Sequence, residues 1–129
     1  MIYDCGMSIT PSLFMATIFE DYKADGAMMI TASHLPSYYN GIKFFTKNGG
    51  LQKSDVNEFL EMAEKQEKNL LKEEKGVEIV KNLADDYVSY ICELIKKKIG
   101  KGNKPLENLR IAIDAGNGAA GFFAEKVIE

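Results

Sequence analysis

Ser33, His34 and Lys43 bring a hydroxyl nucleophile, a proton carrier and a cation into one short polar stretch, and His34 is the only histidine in the 129 residues. A polar loop held between apolar strands is a rigid mount for reactive groups. Acyl transfer by Ser33 would need a base together with a carboxylate to orient it. Adjacent side chains of an extended segment point to opposite sides, so His34 is expected to face away from Ser33. The surrounding residues also do not form the Gly-x-Ser-x-Gly elbow of hydrolases. Phosphoryl transfer asks instead for an accessible hydroxyl to carry the phosphate, a divalent cation, and donors that neutralise the moving charge. In that chemistry Ser33 is the carrier, and His34 and Lys43 serve substrate hydroxyls as acid, base or electrostatic clamp. The bland alternatives are a serine that satisfies a turn, a surface histidine and a solvated strand-edge lysine. Tyr38 and Tyr39 suit either stacking on a sugar or packing over the loop, and Pro36 stiffens it.

A second candidate is Gly116-Asn-Gly-Ala-Ala-Gly121, a literal Gly-x-Gly-x-x-Gly that follows an apolar run and opens a helix. In a dinucleotide-binding fold such glycines bring backbone amides to a pyrophosphate. The acidic ribose ligand belongs about 20 residues further on. That position lies past residue 129, so glycines for a tight turn and close helix packing are the competing reading. Cys5 and Cys92 match no zinc or redox spacing and are expected as buried, reduced thiols.

The elements that must position these groups read as an α/β pattern. Ile2 to Cys5 is a short strand ending at Gly6. Thr10 and Pro11 start a helix, with Thr10 as N-cap, and Leu13, Phe14, Ile18 and Tyr22 recur at helical spacing until Asp25-Gly26. Ala27 to Thr31 is a continuous apolar run of the kind found in buried strands, and Ile42 to Thr46 is the next strand, closed by Asn48-Gly49-Gly50. Ser54 is expected to cap a surface helix to about Asn69 with Val56, Phe59, Leu60 and Ala63 on one face. Lys72 to Lys75 has linker composition. Asn82 opens a second amphipathic helix that ends in three lysines before Gly100, a favourable dipole and a left-handed cap. Leu109 to Asp114 is expected as a strand and Gly118 to Ile128 as a helix. No internal repeat is evident at this length. The last strand and helix make only half of a βαβ unit, so the chain is expected to be truncated at its C-terminal end.

Composition bounds the classes. Hydrophobic residues make up 46% of the chain, but no run approaches the roughly 18 needed to span a bilayer. A net charge of −3 without a basic block gives no footprint for nucleic acid or an anionic membrane. With no signal-peptide pattern, a cytoplasmic protein is the expectation. Arg110 is the single arginine beside fifteen lysines, which is odd for a complete enzyme of phosphorylated substrates, where arginine is the usual bidentate ligand.

At Ile30-Thr-Ala-Ser-His-Leu-Pro36 the chain resembles the active-site serine loop of the alpha-D-phosphohexomutases, the phosphoglucomutase and phosphomannomutase family. Asp4-Cys5-Gly6, Thr10-Pro11, the apolar strand, the Ser-His loop, Asn40-Gly41-Ile42-Lys43 and Asp114-Ala115-Gly116-Asn117-Gly118 occur in the family's order at similar spacing. Leu35 stands where the family most often has asparagine. The resemblance implies a mixed-sheet α/β/α domain of phosphohexomutase type, truncated, over residues 1–80, and the opening strand and helix of a second similar domain over 81–129. It implies reversible phosphoryl transfer between the 1- and 6-positions of hexose phosphates through a hexose 1,6-bisphosphate. Ser33 would carry the phosphate, and His34 and Lys43 would give acid/base and electrostatic help. Mg2+ would bind through the Ser33 phosphate and an Asp-Gly-Asp-x-Asp-Arg loop that this chain lacks, since Asp85 and Asp86 have no matching context. Phosphate and sugar ligands would also lie in absent parts, which accounts for the missing arginines and leaves the isolated chain inactive. Two other classes compete: a non-catalytic α/β module, whose truncated core could self-associate, and a fragment of a dinucleotide-binding oxidoreductase.

Overall fold

The computed structural model describes residues 1–65, 76–100 and 102–128. In chain order the elements are β1 (Ile2–Asp4), α1 (Thr10–Met15), β2 (Ala27–Ile30), β3 (Ile42–Thr46), β4 (Gly49–Gly50), α2 (Lys53–Lys65), β5 (Glu78–Val80), α3 (Leu83–Ile99) and α4 (Gly121–Ile128). β1 and β5 pair in parallel, with Tyr3 opposite Ile79. β2, β3 and β4 form an antiparallel sheet in that order, with Met29 opposite Lys43 and Ile30 opposite Ile42.

Strand periodicity layers the second sheet between helices. Phe45 turns its ring edge to Phe14 of α1 at 6.0 Å, while its neighbour Phe44 stacks on Phe59 of α2 at 5.2 Å. Successive side chains of a strand leave on opposite faces, so the three-stranded sheet lies between α1 and α2. This is the α/β/α layering expected. The apolar run of β2 is nonetheless half-buried rather than buried. Ala27 and Met29 pack toward the core, while Met28 and Ile30 are 54% and 66% exposed.

The core gathers Leu13 and Ala16, Tyr22 and Leu83, with Tyr3, Cys5, Phe19, Ala27 and Met29 against it. Leu83, at the start of α3, is fully buried, so α3 shares a core with α1 although it lies past residue 80. Tyr22 is 4% exposed, and its phenol donates a 2.5 Å hydrogen bond to Asp86 Oδ2 of α3. Burial, and then the Asp86 carboxylate, push the Tyr22 phenol well above its usual range.

Several local expectations are corrected. Thr10 is the first residue of α1 and Ile9 is its N-cap, extended and without a side-chain cap bond, while Ser12 Oγ donates 2.8 Å to the Ile9 carbonyl. The helix ends at Met15, and single turns carry the chain to Tyr22, including Phe19 N–H to Met15 O and Tyr22 N–H to Phe19 O. Ser54 lies inside α2, whose first turn is closed by the Gln52 N–H donating 2.8 Å to Asp55 Oδ2. The expected helix extension over 66–69 and the linker at 72–75 lie outside the described residues. β5 has no counterpart in the sequence expectation, because three residues are too few to show a period.

α3 matches its expected signals. The Asn82 side chain accepts from Asp85 N–H, and Gly100 closes the helix at φ 66° with its N–H on Lys96 O. Tyr87 packs edge-on against Phe123 of α4 at 6.0 Å, and Lys126 of α4 pairs with Asp85. That lysine holds the Asp85 carboxyl below its ordinary range. Cys5 and Cys92 are free and half-buried, and burial pushes the Cys5 thiol up. Residues 109–114, expected as a strand, carry no ladder among the described residues, and Leu109, Ile111 and Ile113 are exposed. The alternation is there, but no neighbouring strand among the described residues meets it. The helix expected from Gly118 begins at Gly121, because residues 115–120 are spent in turns.

One turn occurs twice. Asp4 Oδ1 accepts the Gly6 N–H at 2.9 Å with Gly6 at φ 57°, and Asp114 Oδ1 accepts the Gly116 N–H at 2.8 Å with Gly116 at φ 55°. Each of these turns precedes a helix, α1 and α4. No helix among the described residues is long and apolar enough to cross a membrane.

Two stability measurements follow. Leu83→Ala should lower the unfolding free energy in urea by about 2–5 kcal/mol, whereas Leu60→Ala at an exposed position should stay within about 0.5 kcal/mol. A phenol with a raised folded pKa contributes stability below its unfolded pKa of about 10 and loses it as pH rises beyond that. Stability should therefore fall above that pH, and Tyr22→Phe should flatten the slope, with a remainder from Tyr87, whose phenol is also raised by burial.

Candidate active site

The Ser-His loop leaves β2 and returns into β3 across a narrow base. Thr31 N–H donates 2.8 Å to the Gly41 carbonyl, one rung past the Ile30–Ile42 pair. The chains approach so closely that a Cβ on Gly41 would stand 2.8 Å from the Thr31 carbonyl oxygen, inside any real contact distance for that atom. Glycine is thus required there by space, not by backbone angle.

Within the loop, Ser33 has φ 59°, the left-handed region that a serine rarely occupies. Such a conformation costs of order 1–3 kcal/mol and persists only where the surroundings hold it. Thr31 Oγ1 accepts the Ser33 N–H at 3.0 Å, and the Leu35 N–H reaches Ala32 O at 3.1 Å. The Tyr39 N–H donates 2.9 Å to Pro36 O, continuing the turns, and the peptide bonds of the described residues are all trans. Tyr38 and Tyr39 are exposed, with ring centroids 4.8 Å apart.

This backbone overturns the expectation that His34 faces away from Ser33. That expectation assumed an extended segment, and the left-handed turn instead sets Ser33 Oγ 3.3 Å from His34 Nδ1. Both side chains are exposed, and no carboxylate accepts from the His34 ring among the described residues. The pair is therefore an accessible hydroxyl beside a lone imidazole, without the orienting third member of an acyl-transfer triad. Lys43 lies in β3 opposite Met29 and shares that face of the sheet with Phe45, the α1 side. Among the described residues no hydrogen bond joins it to Ser33 or His34. Thr31 and Gly41 are the residues that reading by chemistry overlooked. A threonine two before the serine and a glycine just before a strand are the local signals for them.

In the glycine-rich turn at 116–121 the three glycine amides bond within the turn itself. Gly116 N–H goes to Asp114 Oδ1, Gly118 N–H to Ala115 O at 2.8 Å, and Gly121 N–H to Gly118 O at 3.1 Å. A Cβ on Gly118 would stand 3.1 Å from Ala115 O. Those glycines serve the turn and the helix approach. Asp85 and Asp86 are likewise engaged, by Lys126 and Asn82 and by Tyr22. Among the described residues no group of three histidine, cysteine, aspartate or glutamate side chains could hold a metal ion.

Residues 1–70 match the family model described as phosphoglucomutase/phosphomannomutase, alpha/beta/alpha domain I. The chain is 37% identical over 110 residues to a phosphoglucosamine mutase of Nautilia profundicola, covering 85% of this chain and 24% of that protein. It is 34% identical over 126 residues to a phosphoglucomutase of Neisseria meningitidis serogroup A, covering 98% and 25%. It is 35% identical over 129 residues to a phosphoglucosamine mutase of Thermosipho africanus, covering 99% and 28%. The chain spans about a quarter of the length of the curated relatives it matches.

Proposed function

The chain belongs to the phosphoglucomutase/phosphomannomutase family, and on that premise we propose that the protein containing it interconverts hexose 1- and 6-phosphates, with Ser33 as the phosphate carrier. The observation that carries this reading is the exposed Ser33 hydroxyl, set beside His34 Nδ1 by a left-handed turn within the family-matched segment. In the forward half-reaction a sugar hydroxyl oxygen attacks the phosphorus on Ser33. The new sugar O–P bond forms as the Ser33 Oγ–P bond breaks, and a hexose 1,6-bisphosphate results. In the second half-reaction Ser33 Oγ takes the other phosphoryl group and the sugar oxygen leaves.

His34, with Nδ1 beside Oγ, holds the proton that Ser33 gains or loses as its ester breaks or forms. Lys43, on the next strand, offers positive charge toward the bound phosphate. A Mg2+ ion bound to the Ser33 phosphate would supply charge neutralisation at the transferring oxygens. Ser33 is the anchor proposed for it, and among the described residues no three-ligand cluster stands beside it. For the same reason the 129 residues alone are proposed to be inactive. In domain terms, the reading of residues 1–80 as the first unit is proposed in extended form. The shared core of Leu83 with α1 draws α3 into that unit, and the second is proposed to open near residues 109–114. The dinucleotide alternative is not favoured, because the matched family and the named relatives are phosphosugar mutases.

In the whole protein, Ser33→Ala should lower hexose-phosphate interconversion by roughly 10⁴-fold or more, read by coupled assay. Intact mass of the wild type should fall by one phosphoryl group after phosphatase treatment, with no change in the variant. His34→Gln should lower kcat by about 10²- to 10⁴-fold. Full activity in Ser33→Ala would overturn the reading.

A further inference from the structure

We infer that Thr31 is a positioning residue for the phosphate-carrying serine: its Oγ1 holds Ser33 in the left-handed conformation, and its own backbone is fixed by close approach to Gly41. The inference rests on the reading of Ser33 as phosphate carrier. Three observations support it. The Ser33 N–H ends on Thr31 Oγ1 at 3.0 Å. Thr31 N–H ends on the Gly41 carbonyl at 2.8 Å, and the Thr31 carbonyl occupies the space where a Cβ of residue 41 would stand. Ser33 itself, at φ 59°, has no glycine-like freedom to hold that angle unaided.

The branched Cβ of threonine stiffens χ1, so an oxygen mounted on an anchored backbone is also fixed in direction. The hydroxyl thus acts two residues downstream as a side-chain turn acceptor. Its effect reaches the chemistry because only the left-handed turn brings Ser33 Oγ to 3.3 Å from His34 Nδ1. With an extended residue 33, Oγ and the imidazole would leave on opposite sides of the chain. The phosphoester would then be aimed away from the proton carrier and from the sugar hydroxyl that attacks it.

The test pairs a conformational with a kinetic readout. In the 129-residue chain, Ser33 should give the strong intraresidue amide-to-Hα NOE that positive φ produces. Thr31→Val keeps the branched shape without the acceptor and should weaken that NOE to the level of extended residues, while Thr31→Ser should keep it. In the whole protein Thr31→Val should lower kcat by roughly 10- to 100-fold with KM little changed, and Thr31→Ser should restore most of the rate. Gly41→Ala should weaken the same NOE by displacing the Thr31 carbonyl, and it decides the matter should Thr31→Val fail to fold. An unchanged Ser33 NOE and kcat in Thr31→Val, with Ser33→Ala inactive, would overturn the inference and leave the carrier role standing. Full activity in Ser33→Ala would instead remove the carrier role on which it rests.

Discussion

The hydrogen bond from the buried Tyr22 phenol to Asp86 ties together the elements on which the reactive loop is mounted. A tyrosine ring brings a large apolar area into a core, and its hydroxyl then requires a partner. Here the ring meets the edge of Tyr3 from β1 at 5.8 Å and lies near Phe19 at 6.4 Å, with Lys81 Nζ 5.2 Å above it, just past β5. The hydroxyl reaches α3. One side chain therefore joins the parallel pair, the turns after α1 and the long helix. The inner face of β2 packs against the same cluster through Ala27 and Met29. The strand that delivers Ser33 is anchored at its root by this arrangement, while its outward residues Met28 and Ile30 stay open.

From that root the constraint passes along backbone polar groups. β2 and β3 are in register up to the Ile30–Ile42 pair, and Thr31 with Gly41 adds one further rung. Beyond it the loop cannot draw on sheet bonds and relies on local side chains and turns. The reactive group stands at that transition, two residues past the last sheet-like bond. This is close enough to inherit rigidity and far enough out to be exposed. The family match over residues 1–70 covers this whole path, from β1 through the loop to α2.

Much of this was legible in the residues. Asn82, the three lysines and Gly100 each act within one turn of α3, so the signals that bound the helix are local and survive folding. The Ser-His loop stood out for its polarity between two apolar runs. The misread features are those in which a partner decides. Thr10 and Ser54 are cap-type residues, yet both lie inside their helices: Ile9 is the N-cap of α1, and Asp55 takes the Gln52 N–H. Leu109 to Ile113 has strand alternation but no ladder, since periodicity describes a face and not a neighbour. β5 is the converse, three residues made a strand by β1 alone. The contact of Ser33 with His34 is not legible from spacing, because adjacent residues face apart on an extended chain and one left-handed angle reverses that.

The paired Asp-x-Gly turns bear on the order in which the chain acquires its shape. The first follows a strand with a partner, and the second follows residues 109–113, which have none among the described residues, yet the two differ by only 0.1 Å and 2°. The reversal is therefore written into three consecutive residues and does not await a sheet. Closure of so short a loop belongs to the fastest events in folding, roughly 100 ns or less, whereas register must wait for a distant strand to arrive. After each of these turns the direction of the following chain is settled early, and the packing that later surrounds it inherits that heading.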